Sequence, residues 1–348
     1  MMNINTLSDF LEQSNCQFCV YDLGRKVCKI PNTAFKNITR NQIPYPYPIQ
    51  QQGFFALTFW QVGAQKEHFI WFLKMPLDEQ GLLRIPAQTS FIKMVVEAMG
   101  EDVTAEVSDK LQERLANNPF LFKPNAEKLA IFNAHINASF IRPASSFYAG
   151  AAHYFSGATG WNEWQELGIQ GIADLTARLE YDNNQQNLIS ALPHLPDQPL
   201  QSLALCLEHQ EKISPDLSQA IAEQARIELQ ENHQENAILL LRALASSPNI
   251  AITKKLIIEQ FSSDLIHNIH WYVGIAGRLW AVLEDETLLN RFLESLANNQ
   301  PSLFTQLFAD IVAIPALRDK VLKQIRLPAR SPALSEAIGL LFSGVQHS

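Results

Sequence analysis

A chain of 348 residues, 47% hydrophobic and 18% charged, has a globular composition and is too long for one small core. At roughly 100–200 residues per domain it holds two or three units or one long repeat array. Lys and Arg number 27 against 35 Asp and Glu, a formal charge of −8. That balance argues against nucleic acid as the main partner, because such affinity comes from neutralising phosphates. With 14 Gly against 18 Pro, glycine-rich nucleotide folds and all-β sandwiches full of tight turns are also disfavoured.

The charge is unevenly spread. Between Gly160 and Pro315 there are 20 acidic and 8 basic residues, whereas Leu317 to Arg330 carries 5 basic and 1 acidic. Cations at that end suit the C-terminal dipole of a last helix. The first residues show no basic segment followed by a long apolar stretch, and Trp271 to Leu283 is too short for a membrane span and is interrupted by Arg278. Four Cys in a chain of this length do not make a disulfide framework. Cytoplasm is the expected compartment, with no membrane contact.

In chain order, Thr6 to Ser14 reads as a short capped helix with Leu7, Phe10 and Leu11 on one face. Gln17–Leu23 and Lys26–Ile30 lean to strands joined through Gly24, and a helix from about Thr33 to Thr39 buries Phe35 and Ile38. Phe54–Trp60 and His68–Met75, rich in aromatic and β-branched residues, read as a hairpin. From about Ala87 the period becomes helical, with Phe91, Val95 and Met99 closed by Gly100, and Val103, Val107, Leu111 and Leu115 repeat the spacing. Asn118-Pro119 and Lys123-Pro124 break the chain. Helices are then expected near 126–138, 144–156, 162–179, 183–192, 198–210, 215–230, 234–246, 250–262, 264–283, 286–298, 301–313, 316–326 and 332–342. Three stretches, Ile189–His209, Leu240–Gln260 and Leu279–Ala297, look loosely alike, their starts 51 and 39 residues apart.

The expected fold is therefore mainly α: a small α+β domain over residues 1–118, an antiparallel sheet plus helices, followed over 125–348 by an α-helical, HEAT-like solenoid. A hairpin of amphipathic helices cannot cover its own apolar face, so neighbours must stack on it.

Several residue groups invite chemistry, and each has a structural reading beside it. Cys16-x-x-Cys19 with Cys28 supplies three soft ligands for zinc, or three buried structural cysteines. Residues three apart on a strand point to opposite faces. Asp264-x-x-His267-x-x-His270 resembles a metal set on one helix, fanning across about a third of its circumference; it is equally an interface edge of a helix whose Gly274 and Gly277 imply close packing. His153 and Tyr154, followed by Gly157, Gly160, Trp161 and Trp164, form the most glycine- and aromatic-rich place in the helical half. Together with Arg278 and Trp280 they are the candidate pocket, or else packed corners. Pro44-Tyr45-Pro46-Tyr47-Pro48 is extended, either as a docking segment or as a connector packed on the sheet. Asp78 and Glu79 with Glu67 lack any accompanying nucleophile. No Walker loop, G-x-G-x-x-G, G-x-S-x-G or H-E-x-x-H occurs.

The Tyr45-Pro46-Tyr47-Pro48 segment, the following Gln50-Gln51-Gln52 and the stretch Trp71-Phe72-Leu73-Lys74-Met75-Pro76-Leu77-Asp78-Glu79-Gln80-Gly81-Leu82-Leu83 resemble a family of uncharacterised bacterial proteins of unknown function. The resemblance implies an intracellular bacterial setting and brings no activity, cofactor or catalytic residue.

The functional expectation is a non-enzymatic scaffold or adaptor presenting a helical surface to a protein partner, with no cofactor, and with self-association as a further possibility. The competing expectation is an enzyme or small-ligand binder working from a pocket between the α+β domain and the helical array.

Overall fold

The structure, a computed structural model, describes residues 6–63, 68–99 and 118–344. It is mainly helical, with a four-stranded antiparallel sheet near the N-terminus. The chain divides into two compact units, Met1–Asn125 with Ala313–Pro315, and Ala126–Val312 with Ala316–Ser348.

In the first unit, α1 (Leu7–Gln13) starts where the Thr6 hydroxyl accepts the Asp9 amide. β1 (Cys16–Asp22), β2 (Cys28–Ile30), α2 (Asn32–Thr39), β3 (Gln52–Gln61), β4 (Phe69–Pro76) and α3 (Ile85–Met99) follow, and the sheet order is β2-β1-β3-β4. The register sets Phe18 opposite Phe59, Val20 opposite Leu57, and Phe55 opposite Leu73. Strand alternation then gathers these residues with Trp71 and Met75 on one face, where they meet Leu7 and Phe10 of α1, Phe35 and Ile38 of α2, and Phe91 and Val95 of α3. Rings make this core: Phe35 lies 5.9 Å from Phe18 and 5.6 Å from Phe55, both edge-on.

The Tyr-Pro segment belongs to this core. Tyr45 is fully buried, its hydroxyl 2.5 Å from Asp22 Oδ1 and 3.0 Å from the Phe54 carbonyl oxygen. Burial and the Asp22 carboxylate push its phenol well above the usual range. The outer edge of β4 is covered: the Lys74 amide donates to the Phe120 carbonyl and the Phe122 amide to the Phe72 carbonyl. Asp78 serves a turn, accepting from the amides of Gln80 and Leu82. Glu67, Gly100 and the run Val103–Leu115 lie outside the described residues.

The second unit begins with α4 (Ala126–Ser139), α5 (Tyr148–Phe155), α6 (Ile169–Thr176), α7 (Asn184–Ala191) and α8 (Asp197–Leu207). It continues through α9 (Pro215–Gln230), α10 (Gln234–Ala243), α11 (Ile250–Gln260), α12 (Ile269–Gly277) and α13 (Glu286–Asn299), and ends with α14 (Pro301–Ala313), α15 (Pro315–Gln324) and α16 (Pro332–Gly344). Starts coincide with capping side chains: Ser214 accepts from Leu217 ahead of Pro215, Asn249 from Ala251, and Asp285 from Thr287 and Leu288. Helices touch consecutive neighbours, α5 with α6 and α9 with α10, and also skip along the chain. α4 touches α6, α6 touches α8, α8 touches α10 and α10 touches α12, while α5 touches α7, α7 touches α9 and α9 touches α11.

Two expected helices depart furthest from the lengths the periodicity implied. The one near 162–179 begins at Ile169, because Gly157 (φ +77°) and the Trp164–Leu167 turn occupy what precedes it. The one near 264–283 is three pieces: a 3-10 turn over Asp264–His267, α12, and a 3-10 turn over Trp280–Glu284. Asn268 breaks it, since its side chain accepts the His270 amide and caps a new helix. Close packing at Gly274 and Gly277 is also corrected. A Cβ at Gly274 would sit 3.5 Å from Arg242 Cδ, an ordinary contact, and one at Gly277 would meet open space. The tight approach is at Gly171, where a Cβ would lie 2.6 Å from the Phe147 carbonyl oxygen.

Candidate functional site

The strongest ionic cluster of the helical unit is built on Glu208, the residue that closes α8. Its side chain is fully buried. Arg242, in the last turn of α10, grips it with both nitrogens of one edge: Nε donates to Oε2 at 2.7 Å and Nη2 to Oε1 at 2.8 Å. Arg278, just past α12, donates from Nε to Oε1 at 2.7 Å. His209 Nε2 lies 3.3 Å from the same oxygen. A carboxylate taken out of water costs several kcal/mol unless its lone pairs are matched, and charge-assisted bonds from planar guanidinium forks do so. Three successive members of one helix row are thereby tied at their C-terminal ends.

Their N-terminal ends carry a second network. The Asn236 side chain donates to Asp197 Oδ1 at 2.8 Å and to Glu228 Oε2 at 3.1 Å, and accepts from Gln201 at 2.9 Å. Gln224 donates to Glu228 at 2.8 Å, His233 Nδ1 lies 3.1 Å from the other oxygen, and Asn268 donates to Gln234 at 3.0 Å. Nearer the start of the unit, fully buried Asp174 takes Arg178 Nη1 at 3.1 Å and the Ser145 amide at 3.1 Å.

Hydrogen bonds between helices and the turns that join them recur at similar sequence separations. Tyr148–Asp182 spans 34 residues, Arg178–Arg142 36, Gln201–Asn236 35, Arg242–Glu208 34 and Asn268–Gln234 34. Lys320–Glu284 spans 36, Lys323–Glu286 37, and Arg278–Glu208 70. Ser145–Asp174 at 29 and Gln170–Ala130 at 40 bracket this range, while Tyr272–Ser295 spans 23.

The candidate pocket residues fall into two groups that no hydrogen bond, ion pair or ring contact joins. Tyr154 is buried, its hydroxyl donating to the Trp161 carbonyl at 2.7 Å and its ring edge-on to Trp161. Trp161 also stacks on His194, ring centres 5.6 Å apart, and lies against Gly157, whose positive φ a side chain would strain. His153 is exposed in the last turn of α5, and Trp164 is half-buried. In the other group Arg278 holds Glu208, and Trp280 is half-buried in its 3-10 turn.

Asp264, His267 and His270 are all exposed, with the break at Asn268 between them. Among the described residues no three His, Cys, Asp or Glu side chains are placed to hold a metal. Cys16 sits in the sheet core, Cys19 points to the opposite face and Cys28 is half-buried; neither these three nor Cys206 is in a disulfide. Burial pushes Cys19 up to about 11 and Cys206 higher still, away from the reactive thiolate. Glu208 itself escaped sequence reasoning, as one acid among many. The available signal was its position directly after the apolar run Leu203-Ala204-Leu205-Cys206-Leu207.

Among the described residues no helix is long and apolar enough to cross a membrane. No curated protein and no solved structure matches the chain. A family model described as a protein of unknown function, DUF3549, matches residues 2–342. With that match spanning nearly its whole length, the chain belongs to the DUF3549 family.

Proposed function

We propose that the chain is a non-enzymatic interaction protein whose helical unit is a HEAT-like repeat array, presenting an acidic surface to a basic protein partner. The observation that carries this reading is the clustering of hydrogen bonds between helices near one interval, 34 residues for Arg242–Glu208 and 35 for Gln201–Asn236. In a one-dimensional stack most contacts fall between neighbouring hairpins and repeat at the length of the repeat; Arg278–Glu208, at 70 residues, spans two intervals. An interval near 36 is shorter than the roughly 40–47 of HEAT repeats, so these hairpins are compact ones. α9, α11 and α13 begin at Pro215, Ile250 and Glu286, at the same interval. Surface charge supplies the partner chemistry. The buried acids Asp174, Glu208 and Glu228 are matched internally, while most other carboxylates of the unit are exposed. Complementary charge speeds encounter and makes binding sensitive to salt.

The test is affinity capture on immobilised protein at low salt and at about 1 M salt, where the screening length falls to about 3 Å. A triple variant, Glu211→Gln, Glu235→Gln and Glu259→Gln, is run alongside. Basic proteins held at low salt, released by salt and lost by the variant are expected. A captured set indifferent to both changes overturns the reading.

A further inference from the structure

We propose that Arg242 and Arg278, braced on Glu208, form a binding site for a small oxyanion, a carboxylate or phosphate group. Charge is the first argument. Arg178 meets Asp174 and Arg226 meets Glu223 one to one, whereas here two guanidiniums share one carboxylate and leave a positive charge over. That surplus sits in a stretch of chain whose acids outnumber its bases, so it marks one local place.

Donor bookkeeping is the second argument. Each guanidinium has five N–H groups. Arg242 uses Nε and one hydrogen of Nη2 on Glu208, and Arg278 uses Nε on Glu208 and one hydrogen of Nη1 on the Gly277 carbonyl. Among the described residues no acceptor meets the remaining hydrogens of Arg242 Nη1 and Nη2 or of Arg278 Nη1 and Nη2.

Depth is the third. The Glu208 side chain is 0% exposed, against 24% for Arg242 and 18% for Arg278. The acid lies beneath and the guanidiniums lie on the water side, so an approaching anion meets donors first. Both forks are already oriented by bonds of 2.7–2.8 Å, and the Arg242 stem lies alongside Gly274 of α12. Binding therefore costs little ordering of these side chains, and planar forks suit carboxylate and phosphate alike.

The experiment titrates inorganic phosphate, and separately malonate, into the full chain at constant ionic strength, reading heat by calorimetry and the melting temperature. Saturable one-to-one binding with a rise in melting temperature is expected for at least one of the two, and the tighter one names the preferred head group. Arg278→Gln leaves the two-pronged Arg242–Glu208 pair intact and is expected to weaken binding about tenfold or more. Arg278→Lys, which keeps the charge and loses the fork, is expected to fall between it and the parent. Arg291→Gln removes an exposed Arg that lies over the Phe261 ring and is expected to leave binding unchanged. The proposal is overturned if neither anion binds saturably, if chloride alone gives the same rise, or if Arg291→Gln weakens binding as much as Arg278→Gln.

Discussion

The two units bury their polar groups and close their cores by different means. The sheet unit packs rings from distant parts of the chain: Phe18, Phe35, Phe55, Phe59 and Phe91 share one core with Leu7 at one end and Val95 at the other. Phe35 of α2 meets rings of β1 and β3, and Phe91 of α3 meets Trp71 of β4 and Phe120, so the core joins elements far apart in sequence. In the helical unit the buried side chains are mostly Leu, Ile and Ala, and charged or amide groups tie α8 to α10 and α12 through Glu208 and Asn236, while Asp174 holds the loop before α5. Non-local burial is slow to assemble and cooperative, whereas the repeat array proposed for the helical unit would lose and gain stability locally.

The sharpest way to break that contrast is Phe35→Ala. It removes a fully buried ring from two edge-on contacts and is expected to cost about 3–5 kcal/mol. Amide hydrogen exchange should accelerate along β1, β3 and β4 together; acceleration confined to α2 would refute the shared core. Glu208→Gln comes next. It removes the charge and one of the two acceptor oxygens that two guanidiniums share, and because both partly reach water the expected loss is toward the low end, about 3 kcal/mol. Here exchange should rise in α8, α10 and α12 and stay unchanged in the sheet. The smallest effect is electrostatic. Asp285 is held below the usual carboxylate range by the Leu288 amide and then by Lys254. A lowered folded-state value contributes stability above the unfolded value of about 3.9, and that contribution is lost as pH falls through the folded value. The start of α13 should thus fray in acid, seen as a pH-dependent shift of the Thr287 and Leu288 amides. Asp285→Asn keeps a capping acceptor and should flatten that dependence.

Element positions were largely legible because local rules decide them. Thr6, Ser214 and Asn249 cap where a capping residue meets an apolar period, and the pairing of β3 with β4 follows from two aromatic runs separated by a turn. Longer-range order was not. Two of the three look-alike stretches span junctions at different places in the helix order: Ile189–His209 runs from α7 into α8, whereas Leu240–Gln260 runs from α10 into α11. Their 51-residue offset is close to one and a half of the proposed intervals, and both junctions look alike because each joins an apolar helix to an amphipathic one. Arg278 stood out in the sequence, but its partner is 70 residues away, and no local pattern announces a pairing at that distance. Asp264, His267 and His270 appeared to share a helix because periodicity counts residues and is blind to Asn268 accepting its neighbour's amide.

The strip at residues 120–122 that covers β4 has a consequence for the order of synthesis. β4 is complete once Pro76 has been made, yet its outer edge has no cover until Phe120 and Phe122 arrive. Phe120 also sets its ring edge-on to Phe91. On a ribosome the sheet unit would therefore remain an open-edged intermediate through some forty-five further residues and would close only as the last of its own segment emerges. By then α4 is next in line, so the helical unit begins to be made just as the edge that could pair with a stranger is sealed.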